Sequence, residues 1–124
     1  MTELKTAILQ FDEKFLSESI GMEDVEFLVE LYGLYLEQAS KVIESMMVCR
    51  VERDFEYLGQ LSHKIKSSSR SVGAIAMGNL LEAIERAARD KNASELQVYL
   101  HELPQLAEDI FEKIENHINV LKSS

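Results

Sequence analysis

The chain of 124 residues is poor in the residues that interrupt or cross-link a fold: it has one proline, five glycines and one cysteine. With so few turn-forming residues, long regular elements can follow one another closely. A single cysteine, Cys49, cannot form an internal disulfide, so the fold depends on packing. We expect Cys49 to be a small apolar residue near a helix end rather than a reactive thiol.

Long apolar runs and a surplus of basic residues are also missing. No apolar run approaches the length of a membrane span, and the N-terminal sequence has neither a basic start nor a cleavable apolar segment. The formal net charge is −9, from 22 acidic and 13 basic residues, which argues against nucleic acid and anionic membranes as partners. We therefore expect a soluble cytoplasmic protein with one domain over residues 1–124, because 46% hydrophobic content can fill one core.

Sequence motifs for metal and nucleotide chemistry are absent as well. No histidine has a glutamate three positions before it, which excludes the paired Glu-x-x-His ligands of a di-iron bundle. The chain has no phosphate-binding loop, kinase ATP signature or nucleophile elbow. We expect no metal or cofactor of its own, and no enzyme that takes phosphate directly from ATP. His101, His117 and the methionines are expected to occupy structural positions.

Apolar residues recur at every third or fourth position through nearly the whole chain, which predicts an all-α fold. Five helices are expected, the first a short cap on the bundle, at about residues 2–19, 22–48, 55–73, 76–90 and 93–121. Asp54 can cap the third helix. Asn92 and Glu95 stand at capping-box spacing before the fifth. Pro104 predicts a kink or break within that last helix, because proline removes a backbone donor and clashes with the preceding turn.

The third helix carries the most unusual stretch, from Gln60 to Ala74, which reads QLSHKIKSSSRSVGA. At 100° per residue, one outer stripe centred on His63 contains Gly59, Gln60, His63, Lys66, Ser67 and Arg70. No acidic residue occurs between Tyr57 and Leu81. The outer face is also expected to carry a set of small residues that would let a partner approach a reactive histidine: Ser67, Ser68, Ser69 and Ser71.

This stretch resembles the signature of histidine-containing phosphotransfer (HPt) domains of bacterial multistep phosphorelays. In that family the phosphoacceptor histidine is followed by an apolar residue, a lysine, a glycine, two small residues and a glycine-alanine pair. The residues at these positions here are Ile65, Lys66, Ser67, Ser68, Ser69, Gly73 and Ala74. A Leu-Glu pattern on the next helix is matched by Met77, Leu81, Ile84 and Glu85. Ser67 stands where the family usually has glycine, which puts a Cβ and a hydroxyl on the expected docking surface.

The resemblance implies an antiparallel four-helix bundle of HPt type with an additional short N-terminal helix. It implies that His63 accepts a phosphoryl group from a receiver-domain aspartate and passes it to a response-regulator receiver. Glu85 would hold Nδ1 of His63 so that Nε2 faces the phosphoryl group, and Lys66 can neutralise phosphoryl oxygens. Residues expected to contact the docking partner are Gln60, Lys64, Ser67 and Arg70.

The partners implied are the receiver domains of a hybrid sensor kinase and of a response regulator, with this chain a monomer. Mg²⁺ is expected only in the receiver, whose acidic pocket a basic patch would attract. Two alternatives stay open: a docking module that binds a receiver without accepting phosphate, and an unrelated structural bundle. The presence of both Lys66 and Glu85 favours the active phosphocarrier, but only chemistry at His63 separates it from the docking module.

Replacing Ser67 with glycine tests the position where the chain departs from the family pattern. We expect Ser67→Gly to remain competent in phosphoryl transfer, because it removes bulk from the docking surface. The loss in helix stability should be no more than about 1 kcal/mol. Transfer kinetics and urea denaturation measure the two effects. A stable Ser67→Gly protein that binds its receiver but accepts no phosphate would show that the hydroxyl takes part in the reaction.

Overall fold

The computed structural model describes residues 9–21 and 23–123, which form five α-helices. Their order and bounds are α1 Phe15–Ile20, α2 Val25–Met47, α3 Phe55–Ser71, α4 Ile75–Arg89 and α5 Ala93–Ser123. The all-α prediction is confirmed, and α2 to α5 agree with the expected helices to within a few residues at each end. Among the described residues, no helix is both long enough and apolar enough to cross a membrane.

The four long helices pack around one contiguous apolar core, with α3 between α2 and α4, and α5 against both α2 and α4. Short α1 contacts α3. The inward faces of α3 and α5 follow the predicted periodicity. On α2, the apolar spacing of Leu28, Leu31 and Tyr35 predicts Leu31 on the inward face, but Tyr32 is fully buried and Leu31 is only partly buried. The packing confirms an HPt-type bundle with a short additional N-terminal helix.

The N-terminal segment differs from the prediction of one helix over residues 2–19. Residues 2–8 lie outside the described residues, residues 9–14 are not helical, and α1 has only six residues. The backbone of residues 10–12 instead bonds to the α3–α4 turn: the Asp12 amide donates to the Gly73 carbonyl at 2.8 Å, and the Gln10 carbonyl accepts from the Ala76 amide at 3.3 Å. We call residues 9–14 the strap, because they tie this turn to the rest of the bundle.

Buried aromatic contacts hold the strap in place. Phe11 packs edge-on against Tyr32 of α2 and His117 of α5, with ring centroids 6.0 Å away in both cases. His117 is therefore structural, as predicted, and its Nδ1 lies 3.6 Å from Glu13 Oε2 of the strap. Burial of Tyr32, followed by the nearby charge of Glu13, raises the pKa of its phenol to about 12, so the ring stays neutral.

The helix ends confirm some capping predictions and correct others. Asn92 Oδ1 accepts from the Glu95 amide at 3.1 Å, as the capping-box spacing predicted. The predicted cap at Asp54 is wrong in its hydrogen bond: this residue occupies the N-cap position of α3, but Oδ2 accepts from the Arg50 amide at 2.7 Å. Its carboxylate therefore closes the loop before α3 rather than the first turn of α3.

Helix α5 continues through Pro104 without a break. Pro104 is exposed, while Leu103 and Ala107 on the two sides of it are buried. Burial of these apolar residues on both sides of the proline stabilises the helix, although proline removes one backbone N–H donor. Of the predicted kink or break, the continuous helix excludes the break, and the apolar residues continue on both sides of Pro104 as predicted.

Gly73 is the residue at which the α3–α4 turn depends most on glycine. Its φ is +87°, and a Cβ there would lie 2.4 Å from the Asp12 carbonyl oxygen. We expect Gly73→Ala to destabilise the fold by more than about 2 kcal/mol, because it combines a left-handed backbone with a backbone clash. Urea denaturation measures the loss.

Gly21→Ala is the matched control for this prediction. Gly21 also has a positive φ, +68°, but no atom of the described residues lies within 4 Å of a Cβ built there. Gly21→Ala should therefore lower the free energy of unfolding only by the backbone contribution, about 1–2 kcal/mol. Equal losses in the two variants would contradict the view that contact with the strap fixes the turn.

Candidate functional site

His63 lies in the middle of α3 on the exposed side of the bundle. Its side chain is 69% exposed, and its Nδ1 lies 3.0 Å from Glu85 Oε2 on α4. Within residues 9–21 and 23–123, the other ring nitrogen, Nε2, has no hydrogen-bond partner. The arrangement leaves one nitrogen held by the protein and one open to an incoming group.

Glu85 also bonds to Lys66, so a single carboxylate joins two residues of α3. Lys66 Nζ donates to Glu85 Oε1 at 2.7 Å, one helical turn beyond His63. The side chains of Lys66 and Glu85 are only 17% and 20% exposed. The antiparallel α3–α4 hairpin makes this possible, because the buried faces of both helices fix which turn of α4 meets which turn of α3.

The charge state of Glu85 follows from these contacts. Partial burial alone would raise the pKa of its carboxyl, but the hydrogen bond and charge of Lys66, together with the His63 hydrogen bond, lower that pKa below its ordinary value. Glu85 is therefore ionised at neutral pH and can only accept hydrogen bonds. In neutral His63 the proton then resides on Nδ1, and the lone pair is on Nε2.

The sequence predicts that four serines of α3 lie together on the outer face, but the structure does not place all of them there. Ser67 and Ser71 are exposed, and the Ser71 hydroxyl donates to the Ser67 carbonyl at 2.9 Å. Ser69 is fully buried, with its hydroxyl 2.7 Å from the Tyr35 hydroxyl, and Ser68 is partly buried. The prediction is therefore wrong for Ser69, because the three consecutive positions 67–69 are turned by about 100° from one to the next and cannot all point outward.

Two of the three cations in the acid-free stretch of α3, Lys66 and Arg70, pair with carboxylates of α4. Arg70 pairs with Glu82 at 3.4 Å, and Glu82 also lies 3.7 Å from Arg86. The Arg70 side chain crosses Gly78, where a Cβ would lie 2.6 Å from Arg70 Cγ. Of the residues expected to contact a docking partner, Arg70 is thus already partly engaged within the protein.

A shallow groove of about 650 Å³ runs between α3 and α4 on the N-terminal side of His63. We call it the His63 groove; its lining residues are Phe55, Glu56, Gly59, Gln60, His63, Lys64, Glu85, Ala88, Arg89 and Lys91. The predicted residues Gln60 and Lys64 line it, whereas Ser67 and Arg70 lie on the other side of His63. Sequence reasoning missed Arg89 and Lys91, although Arg89 stands one turn after Glu85 on the same helix.

The remaining candidates for chemistry are separate from this site. His101 is exposed on α5, and Cys49 is partly buried just after α2, with its thiol donating to the Ser45 carbonyl at 3.4 Å. Partial burial, followed by the charge of Asp54, raises the pKa of Cys49 and keeps the thiol protonated. The part of the chain that the structure describes contains no cluster of three or more His, Cys, Asp or Glu that could hold a metal ion.

The family model described as the Hpt domain matches residues 30–113, which cover all of α3 and α4. The chain therefore belongs to the Hpt domain family, whose members are phosphotransfer intermediates of phosphorelays and typically interact with receiver domains. Neither the search of curated proteins nor that of solved structures found a match.

The tautomer of His63 tests the geometry of the site without any partner. We expect ¹⁵N NMR to find neutral His63 protonated on Nδ1, because ionised Glu85 accepts a hydrogen bond there. In Glu85→Ala this preference should disappear. Exposed His101 is the internal reference and should be the same in both proteins. A His63 protonated mainly on Nε2 in the unmodified protein would contradict the assigned hydrogen bond.

Proposed function

We propose that His63 accepts a phosphoryl group on Nε2 from the aspartyl phosphate of a hybrid kinase's receiver domain and passes it to a response-regulator receiver. The observation that supports this most strongly is the shared hydrogen-bonding of Glu85 with His63 and Lys66, since it leaves Nε2 exposed and, in the neutral ring, places the proton on Nδ1. Membership of the Hpt family supports the class of reaction. We propose receiver domains both as the phosphoryl donor and as the phosphoryl acceptor.

The chemistry of the transfer needs only one nucleophile from this chain. Nε2 attacks phosphorus, the N–P bond forms, and the P–O bond to the aspartate breaks, so that the receiver recovers its carboxylate. The imidazole ring gains positive charge while Nδ1 keeps its proton, and ionised Glu85 stabilises that charge across 3.0 Å. In the second transfer the same steps run in reverse, toward the aspartate of the next receiver.

Lys66 supports this reaction in two ways. Its ion pair with Glu85 holds the carboxylate in place and offsets a negative charge that would otherwise repel the phosphoryl group. Its position one turn after His63 also puts its ammonium group near the phosphoryl oxygens of a modified Nε2. We assign Lys66 as the residue that stabilises both Glu85 and the phosphorylated state, without a catalytic proton transfer.

The charge distribution suits an acidic docking partner. The chain has a net charge of −9, yet Lys64, Arg89 and Lys91 line the His63 groove. Within the described ranges, 9–21 and 23–123, none of these three forms an ion pair with a carboxylate. They can therefore attract the acidic pocket of a receiver, where Mg²⁺ and the phosphoacceptor aspartate are expected. We further propose that the chain acts as a cytoplasmic monomer with one domain.

Labelling with a phosphorylated receiver tests the proposed function. The chain is mixed with radiolabelled phospho-receivers of its own organism, and protein-bound label is measured over time. The unmodified protein should gain acid-labile, alkali-stable label, as expected of an N–P bond. His63→Gln should fold normally, because this side chain is exposed, but should take no label. Glu85→Ala should be labelled more slowly, because fewer rings have Nε2 unprotonated.

His101→Gln and His117→Gln are the matched controls, and both should be labelled like the unmodified protein. Full labelling of a folded His63→Gln protein would contradict the phosphocarrier assignment. Tight binding of a receiver by the unmodified protein without any labelling would instead support a docking module.

A further inference from the structure

The floor of the His63 groove contains a glycine within a helix. Gly59 lies on α3 one turn before His63, and it is only partly exposed. Its φ is not positive, so its backbone conformation does not require glycine. Among the described residues, the one atom within 4 Å of a Cβ built on Gly59 is Ala88 Cβ, at 3.7 Å, which is an ordinary contact. Packing of α3 on α4 would therefore accept alanine here.

Two other helix glycines show what is particular to Gly59. Gly78 has a packing reason, because the Arg70 side chain crosses it. Gly33 on α2 is exposed, and no described atom lies within 4 Å of a Cβ built there. A glycine inside a helix is thus not by itself a sign of a site. Gly59 differs because the space left by its missing side chain opens into the groove that reaches His63.

The chemistry of the groove indicates what could fill that space. Phe55, Gly59 and Ala88 give it an apolar floor, and its cations without a carboxylate partner among the described residues are Lys64, Arg89 and Lys91. Its acids are Glu56 and Glu85, and Glu85 is compensated by Lys66. An occupant should therefore present an apolar side chain with carboxylates beside it. A receiver domain combines both features when an apolar residue flanks its acidic phosphoacceptor pocket.

We propose that Gly59 forms a specificity subsite that takes an apolar side chain of the docking receiver. This inference rests on the proposed function, because the occupant belongs to the receiver that brings its phosphoryl group to His63. A side chain at position 59 would occupy the space one turn from His63 and hold the receiver away from Nε2. The depth of this subsite would then help to decide which receivers can dock.

Binding measurements on Gly59 variants test the proposal. Purified receiver domains of the same organism are titrated into the unmodified protein by calorimetry, and the receiver with the lowest Kd becomes the probe. We expect Gly59→Leu to raise that Kd at least about tenfold, since exclusion of one anchoring side chain commonly has such an effect. Gly59→Ala should raise it less. The matched controls, Gly33→Ala and Gly33→Leu, should leave it unchanged.

Two further measurements separate docking from folding and from reactivity. Gly59→Ala and Gly33→Ala should both raise the midpoint of urea denaturation, because alanine favours helix over glycine. Labelling by phosphoramidate, a small phosphoryl donor that needs no docking, measures the reactivity of His63 in each variant separately from receiver binding. A selective loss of receiver binding in the Gly59 variants would then be a property of the groove.

The outcomes for the subsite and for the proposed function are distinguishable. Equal Kd values for Gly59→Leu and Gly33→Leu would overturn the subsite and leave phosphoryl transfer untouched. If the unmodified protein binds a receiver but takes no phosphoryl group, the proposed function fails, and the Kd of Gly59→Leu still decides the subsite. An unmodified protein that binds none of the receivers would contradict both.

Discussion

The carboxylate of Glu85 contacts His63 only when α3 and α4 pack in one register, and most of the fold helps to fix that register. Buried residues of the two helices, such as Ile65 and Leu81, fix the packing of one helix on the other. The turn between the helices is tight, with Gly73 in a left-handed conformation, and the strap bonds to it. A shift of one residue along α4 would turn Glu85 by about 100° around the helix axis, and the same shift along α3 would turn His63 and Lys66, so either shift would break the contacts.

The cations of the site fall into two groups with different electrostatic roles. Lys66 and Arg70 pair with carboxylates of α4, so both stabilise the hairpin, and Lys66 also favours the ionised state of Glu85. Lys64 and Arg89 line the His63 groove, and the described part of the chain offers them no carboxylate partner. In the function that we propose, Lys66 holds the carboxylate that orients the His63 ring, while the second group faces an incoming partner. An acidic protein can thereby attract an acidic receiver at one place on its surface.

The amino-acid sequence predicts the helices well because each long helix buries one face, and burial imposes a regular apolar spacing. It predicts less well where a partner from another element decides the outcome. Ser69 was expected on the outer face but is buried, because Tyr35 of α2 supplies a hydroxyl partner. The ion pair between Arg70 and Glu82 could not be predicted either, because Glu82 becomes a neighbour of Arg70 only after the hairpin has formed. The strap could not be inferred from spacing, because its hydrogen bonds go to a turn about 60 residues later in the chain.

We propose that Glu85 holds Nδ1 of His63 and thereby makes Nε2 the atom that carries the phosphoryl group. Heteronuclear ³¹P–¹⁵N NMR of the phosphorylated protein, with ¹⁵N-labelled histidine, tests this directly. We expect a phosphorus coupling to Nε2 of His63, with the proton retained on Nδ1. Phosphorus bound to Nδ1 of His63, or to a different residue, would contradict it.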